Sequence, residues 1–279
     1  MYRYSMTQWI VGNEDIEYSF ERLKKFGYDG IEFAAEPYTL DTDRCLQLMK
    51  KHDLVCTSLC GIFTGKRDLS SSDPMVAKNA IQYIRDSVDF AVKVGAAYMI
   101  VVPSPVGHTE LPTGQTYDEV WRNSIRNIKM AADYAQDKGV GLCIEAINRY
   151  ETYFVNTLAK AYALVKEIDH PSVGIMADMF HMSIEENNIG RSLRMIADKL
   201  IHVHIADNTR EAAGLGNTDF KEMLYVLRDI GYEGPLTMEF MPRVANPYAS
   251  GNVETQSKLM DGYAKQAIEY MKQMERSLV

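Results

Sequence analysis

The sequence predicts an α/β protein, a (β/α)8 TIM barrel built as a single domain over residues 1–279. Three observations predict it. Eight short apolar runs alternate with amphipathic stretches from one end of the chain to the other, and such alternation makes the strands parallel, with helices packed outside them. No G-x-G-x-x-G or G-x-x-x-x-G-K-[ST] turn follows an early strand, as a doubly wound open sheet usually shows. No Pro- or Ser-rich linker divides the chain, and barrels of this kind routinely use about 250 residues as one domain.

The elements follow in order. A strand over Tyr4–Ile10 leads to a helix over Asp15–Phe26, closed by Gly27, a residue that accepts the left-handed conformation ending a helix. Gly30–Ala34 is the second strand, with a helix over Asp43–His52 after it. Leu54–Cys60 is the third. Pro74, just after Ser72-Asp73, stands at a first-turn position for the helix Met75–Val94. In that helix Ile81, Ile84, Val88, Ala91 and Val92 recur at the spacing of a buried stripe. Gly95 precedes the fourth strand, Tyr98–Pro103, and Thr116-Tyr117-Asp118-Glu119 reads as a capping box opening the helix Tyr117–Lys138. After Gly139 come the fifth strand Gly141–Ile147, the helix Leu158–Ile168 and the sixth strand Val173–Met179. A weaker helical stretch, Ile189–Ala197, leads to the seventh strand, Leu200–Ala206. Phe220–Ile230, Gly231, the eighth strand Leu236–Met241 and a helix over Glu254–Arg276 complete the pattern. Gly27-Tyr28-Asp29-Gly30 and Gly231-Tyr232-Glu233-Gly234 echo one another before strands carrying Glu-Phe, a faint sign of a repeated unit. The longest irregular stretches, Gly61–Pro74, Pro103–Thr116 and Asn208–Asp219, all follow strands, on the face where barrel enzymes carry their sites.

Composition narrows the function. With 30 Lys+Arg against 38 Asp+Glu the formal net charge is −8, whereas nucleic-acid binding needs a concentrated basic footprint, so no nucleic-acid partner is expected. No long uninterrupted apolar run suits a membrane helix, and the start Met1–Thr7 lacks the apolar core of a signal peptide. The expected location is cytoplasmic, with no membrane partner. Cys45, Cys56, Cys60 and Cys143 form no CxxC pair and are expected as reduced, buried thiols.

Strand alternation locates the chemistry. In Ile201-His202-Val203-His204-Ile205 the apolar residues face the helices, so His202 and His204 point into the barrel. By the same parity Glu145 opposes Leu142 and Ile144, Asp178 opposes Val173 and Ile175, and Glu239 opposes Leu236, Met238 and Phe240. A single inward carboxylate is ordinarily salt-bridged. Three of them in one interior, beside an imidazole, repel one another and are poorly solvated without a counter-charge. One divalent cation resolves this, and three oxygen donors with one nitrogen suit Mn2+, Co2+ or Mg2+ better than a thiolate-rich zinc site does. His202 lies one layer deeper and reads as structural. His108 reads as a surface loop residue, and His52 and His170 as helix C-terminal residues. Trp9, at the end of the first strand, is a candidate cavity wall, and Glu32, Phe33 and Glu36 are possible lining residues.

Glu145-Ala146-Ile147-Asn148-Arg149-Tyr150-Glu151, Asp178-Met179-Phe180-His181-Met182-Ser183-Ile184-Glu185-Glu186 and His202-Val203-His204-Ile205-Ala206-Asp207-Asn208-Thr209-Arg210, with Glu239 in the last strand, occur in that order. In words, order and spacing this resembles the ketose 3-epimerase family, the D-tagatose/D-psicose 3-epimerases among the xylose-isomerase-like barrels. The resemblance implies metal ligation by Glu145, Asp178, His204 and Glu239, with Mn2+ the expected ion. It implies substrate contacts from Glu151, His181 and Arg210, and acid/base catalysis by Glu145 and Glu239 on opposite faces of C3 of a small ketose. It also implies a homodimer or homotetramer. One departure is visible: where the family commonly has G-E-G after the arginine, this chain has Gly214-Leu215-Gly216. Rival readings are an aldose–ketose, hydroxypyruvate or sugar-phosphate isomerase on the same barrel, an abasic-site endonuclease, and a non-catalytic sugar-binding module. A phosphate site needs cations near strands seven and eight, where only Arg210 and Arg243 stand out. The endonuclease needs a His-rich multi-metal site and a basic surface, which six scattered histidines in an acidic chain do not offer.

Overall fold

The computed structural model describes residues 1–243 and 253–278, with side chains of the last stretch described from 257. Eight parallel strands close in sequence order: β1 (Tyr4–Thr7), β2 (Gly30–Ala34), β3 (Val55–Cys60), β4 (Tyr98–Val101), β5 (Gly141–Glu145), β6 (Val173–Asp178), β7 (Leu200–Ile205) and β8 (Leu236–Met238). The barrel shuts where Tyr4 pairs with Leu236 and Met6 with Met238. Outside lie α1 (Ile16–Phe26), α2 (Thr42–His52), α3 (Pro74–Val94), α4 (Tyr117–Asp137), α5 (Leu158–Ile168), α6 (Met179–Glu185), α7 (Ile189–Met195), α8 (Phe220–Asp229) and α9 (Val253–Arg276). The expected punctuation is present. Gly27 and Gly95 end α1 and α3 at φ 78° and 74°, Asp73 caps α3 with Pro74 in the first turn, and Thr116 and Glu119 form a reciprocal capping box.

Several strands stop short of their apolar runs. β1 ends at Thr7 and Trp9–Val11 turns into a 3-10 helix, while β4, β5 and β8 end at Val101, Glu145 and Met238. The apolar pattern reports burial, and Val102, Ile147, Phe240 and Met241 remain buried beneath the loops after leaving the ladder. The segment after Asp178 is helix α6 rather than loop, because the Asp178 side chain accepts the backbone N–H groups of Phe180 and His181.

Ile201 does not face the helices as alternation predicts. Ile175 pairs with Leu200 but Met176 with His202, so Ile201 is an extra residue in β7 and packs against the inner cluster of Cys60, Ile100, Cys143 and Met176. This apolar cluster fills the β3–β6 side of the barrel. The β1–β3 and β8 side is instead laced by hydroxyls: Ser5 with Thr237 at 2.7 Å, Thr57 to Ser5 at 2.9 Å, and Ser58 to Glu32 at 2.6 Å. All four cysteines are free and buried.

A buried ion pair ties the first helix to the last. Arg22 of α1 donates through both terminal nitrogens to the two Glu14 oxygens at 2.7 Å, and through Nε to Asp261 of α9 at 2.6 Å. Glu14→Ala leaves the guanidinium buried with half its partners. Breaking one side of such a pair costs about 3–5 kcal/mol. Calorimetry should therefore show Tm lower by roughly 10 °C, and a shift within about 2 °C contradicts the account.

Candidate active site

The last residues of β5 and β6, the penultimate residue of β7 and the residue just after β8 converge at the C-terminal end of the barrel. One ligand atom from each of Glu145, Asp178, His204 and Glu239 lies within 4.8 Å of every other, and all four residues are buried. Glu239 has left the β8 ladder, yet its backbone N–H still donates to the Ile205 carbonyl at 2.9 Å, which fixes its height beside His204. His204 Nδ1 stands 3.3 Å from Glu239 Oε2 and 3.7 Å from Asp178 Oδ2. Asp178 divides its work: Oδ1 caps α6, while Oδ2, like His204 Nδ1, is buried without a hydrogen bond. Two unsatisfied buried polar atoms facing one another among three carboxylates fit a bound cation, since such atoms otherwise carry an uncompensated desolvation cost. The arrangement is a candidate divalent-metal centre.

The electrostatics agree. Burial first, then the neighbouring Glu239 and Asp178 charges, hold the Glu145 carboxyl well above its usual range. Burial also raises Glu239 against the pull of His204. Burial would raise Asp178 too, but His181 and His204 outweigh it and hold it low. Burial alone would lower His204, yet Glu32 and Glu239 hold the imidazole well above its normal value. The cluster thus retains protons that a cation would replace.

Around these four stand the other expected residues. His181, on α6 and fully buried, has Nε2 3.7 Å from Glu145 Oε1. Its Nδ1 faces the Asn148 side-chain nitrogen at 2.8 Å and the Asn148 backbone N–H at 3.4 Å. The Asn148 amide is oriented in turn, because its oxygen accepts from Tyr150 N and its nitrogen donates to Glu151 Oε1. This leaves the proton of His181 on Nε2, directed at Glu145. Arg210 donates to Glu151 at 3.0 Å, lies 3.8 Å from Glu239 Oε2, and stacks over the Phe180 ring at 4.6 Å. Trp9 Nε1 donates to the other Glu239 oxygen at 3.0 Å. A cavity of about 250 Å3 opens above, walled by Trp9, Ile62, Phe63, Val102, Val106 and Ile147 and floored by Glu145, Glu151, His181, Arg210 and Glu239. A larger groove of about 990 Å3 lies elsewhere, between Tyr2, Arg228, Tyr232 and Lys272, and none of the four clustered residues lines it.

Arg210 holds φ at +62°, uncommon for a residue with a side chain. Its backbone N–H donates to the Asp207 carbonyl and its carbonyl accepts from Met241, both at 2.7 Å. The fully buried Asp207 carboxylate accepts four backbone N–H groups, from Asn208, Gly214, Gly216 and Thr218, at 2.8 to 3.0 Å. A Cβ at Gly216 would meet Asp207 Oδ1 at 2.4 Å, so glycine is required there. Leu215, in place of the acid, points to solvent. The Gly214-Leu215-Gly216 departure therefore leaves the loop organised from below.

His202 sits deeper than His204, as parity predicts, against Glu32. Of the possible lining residues, Phe33 instead packs among Phe20 and Phe90, and Glu36 pairs with Arg67. His108 is exposed, and His52 ends α2. Asn148 was within a recognised segment, but no spacing signal marks its role, which depends on α6 delivering His181. Glu32 lies in the barrel interior and not on the cavity wall, at a depth set by a bulge between Ile31 and Glu32.

A family model described as a xylose isomerase-like TIM barrel matches residues 20–276. The chain belongs to that family. Among curated proteins it is 31% identical to an L-ribulose 3-epimerase of Methylomonas sp., over 88% of this chain and 87% of that one. It is 30% identical to a D-psicose 3-epimerase of Ruminiclostridium cellulolyticum, over 96% and 94%. A crystal structure of D-psicose 3-epimerase with D-tagatose, from Clostridium cellulolyticum H10, superposes with a TM-score of 0.86 at 25% identity, over 98% of this chain and 99% of that one. Within the xylose isomerase-like barrels, then, this is a member of the ketose 3-epimerases, and so an isomerase that acts on carbohydrates. No described helix is long and apolar enough to cross a membrane.

Proposed function

We propose that this enzyme interconverts free ketohexoses or ketopentoses at C3, in the class of D-psicose, D-tagatose, D-fructose and L-ribulose, with one divalent cation held by Glu145, Asp178, His204 and Glu239. The observation that carries the reading is the convergence of these four buried groups beneath a cavity of sugar-like size. When bound there, a divalent ion, Mn2+ by preference with Co2+ or Mg2+ as alternatives, supplies the positive charge that makes the C3 hydrogen of a ketose acidic and stabilises the enediolate.

The chain's own residues do the rest. Glu145 and Glu239 stand at the ends of strands that are not neighbours in the barrel, so a sugar between them meets one carboxyl on each face. One removes the C3 proton and the other returns a proton from the opposite side; in the reverse direction they exchange roles. Without the ion, burial holds both carboxyls above the usual range, and this offsets part of the lowering that the cation's charge imposes on them. His181 donates from Nε2 to a substrate oxygen near the carbonyl, and Asn148 fixes its tautomer. Arg210 and Glu151, already paired, bind hydroxyls. The apolar wall excludes water.

A sugar-phosphate substrate fits less well. Among the described residues lining the cavity Arg210 is the one cation, and it is engaged by Glu151 and Glu239. The test is incubation of the Mn2+-loaded enzyme in D2O with D-fructose, D-psicose, D-tagatose and L-ribulose. The C3 epimer carrying deuterium at C3 is expected from at least one, and its absence across the panel overturns the proposal.

A further inference from the structure

We propose that Glu32 is a positioning residue for the divalent ion: its carboxylate holds the His204 imidazole through Nε2, leaving Nδ1 to face the ion, and His202 and Ser58 hold the carboxylate in turn. The inference rests on the metal reading above and extends it to a residue outside the four ligands and outside the cavity.

Glu32 is fully buried, as are Ser58, His202 and His204. A bare carboxylate at such depth is costly unless its lone pairs are filled. Three groups surround it and converge on Oε2, while Oε1 makes no hydrogen bond. Ser58 donates to Oε2 at 2.6 Å, while His202 Nε2 lies at 3.0 Å and His204 Nε2 at 3.2 Å from the same oxygen. His204 Nε2 is also 3.1 Å from Oε1, so the ring sits astride the carboxylate. An ionised carboxylate only accepts, so both imidazoles present N–H at Nε2. For His204 that choice has a consequence. Its other nitrogen, Nδ1, makes no hydrogen bond and is the atom pointing at Asp178 and Glu239. A neutral ring whose proton is pinned on Nε2 offers its lone pair at Nδ1, in the direction where a cation is needed. Fixing the far nitrogen of a ligating histidine sets both its tautomer and its ring angle.

His202 belongs to the same device. Its Nδ1 is buried without a partner, a cost that an apolar side chain of similar size would avoid. What the imidazole adds is the Nε2 donor to Glu32. The two rings lie 5.1 Å apart at 73°, so neither is stacked on the other.

The closing experiment uses Mn2+ and Zn2+ as probes on the whole protein. Mn2+ affinity is read from the free-ion electron paramagnetic resonance signal for the wild type and for Glu32→Gln, which keeps the volume but loses the charge. Removing such an outer partner typically weakens binding about 10–100-fold, and a loss in that range is expected. Because Glu32→Gln can disturb a packed interior, the second measurement needs no variant: nitrogen NMR of histidine-labelled wild type loaded with Zn2+. It should show His204 protonated on Nε2 with Nδ1 displaced by the ion. Wild type that binds one Mn2+ while Glu32→Gln binds it within twofold overturns the inference and leaves the metal reading standing. So does a His204 resonance protonated on Nδ1. Two ions per chain overturn it as well, since the second would occupy the Glu32, His202 and His204 nitrogens and oxygens that the inference assigns to hydrogen bonds. Wild type that takes up no ion overturns the metal reading and this inference with it.

Discussion

Glu239→Gln removes two to four orders of magnitude of epimerisation while the protein remains folded. The size follows from the general worth of a positioned acid/base group, about 10²–10⁴-fold. The substitution is nearly isosteric. A glutamine oxygen can still accept from Trp9 Nε1, and the Glu239 backbone bond to Ile205 is untouched, so the loop after β8 keeps its place. What is lost is the ability to carry a proton. Residual epimerisation above about a tenth of wild type contradicts the role. The variant also separates the two faces of the reaction. Glu145 remains and can still remove the C3 proton from the epimer that presents it, then return deuterium to the same face. In D2O, Glu239→Gln should therefore exchange hydrogen in one epimer without forming the other, and Glu145→Gln should do the same for the opposite epimer. If either variant exchanges both epimers equally, a single group serves both faces. Because Glu239 is also a proposed ligand, Mn2+ affinity is measured beside turnover. A loss of activity that saturating Mn2+ fully restores is a binding defect and not a chemical one.

The strand endings explain how far the sequence could be read. Parity in β5, β6 and β7 placed Glu145, Asp178 and His204 inward correctly, because each lies in an unbroken stretch of ladder above any bulge. The same rule misplaced Ile201, one residue below His202, since the extra residue in β7 resets the alternation there. Glu239 was recoverable by parity although it stands beyond the ladder, because its backbone still bonds to β7. The depth of Glu32 was not recoverable. Its place depends on the irregular β2–β3 register, where Ser58 and not Thr57 comes opposite it. Helix α6 has no sequence signal of its own for a different reason: its cap, Asp178, also has the parity of a ligand, and one carboxylate performing both tasks leaves no separate mark in the sequence. The Arg210 loop was legible only as a departure from a pattern. Its order comes from four amides gathered on Asp207, a tertiary arrangement that no local spacing encodes.

Stripping the protein with a chelator abolishes turnover and lowers Tm, and Mn2+ restores both. At a free Mn2+ concentration a hundred times Kd, binding to the folded state adds about 2.7 kcal/mol of stability, which for a chain of this size is a Tm rise of several degrees. The difference between loaded and stripped protein should depend on pH in a defined direction. In the stripped protein Glu145 and His204 both hold their protons more tightly than usual, the first through burial and then the Glu239 and Asp178 charges, the second because Glu32 and Glu239 outweigh its burial. A group whose folded value is raised contributes most below its ordinary value and loses that contribution as pH rises through the raised one. Stripped protein is thus progressively penalised on going from about pH 4.5, the ordinary glutamate value, upward. The cation requires the opposite state, with these groups deprotonated, so its affinity strengthens over the same interval. Asp178 is held low and contributes no such trend at neutral pH. The Tm gap between Mn2+-loaded and stripped protein therefore widens from pH 5 to pH 8, as scanning calorimetry at matched ionic strength can read. A gap that narrows with rising pH means the ion is not bound by these groups, and equal activity with and without chelator removes the cation from the chemistry altogether.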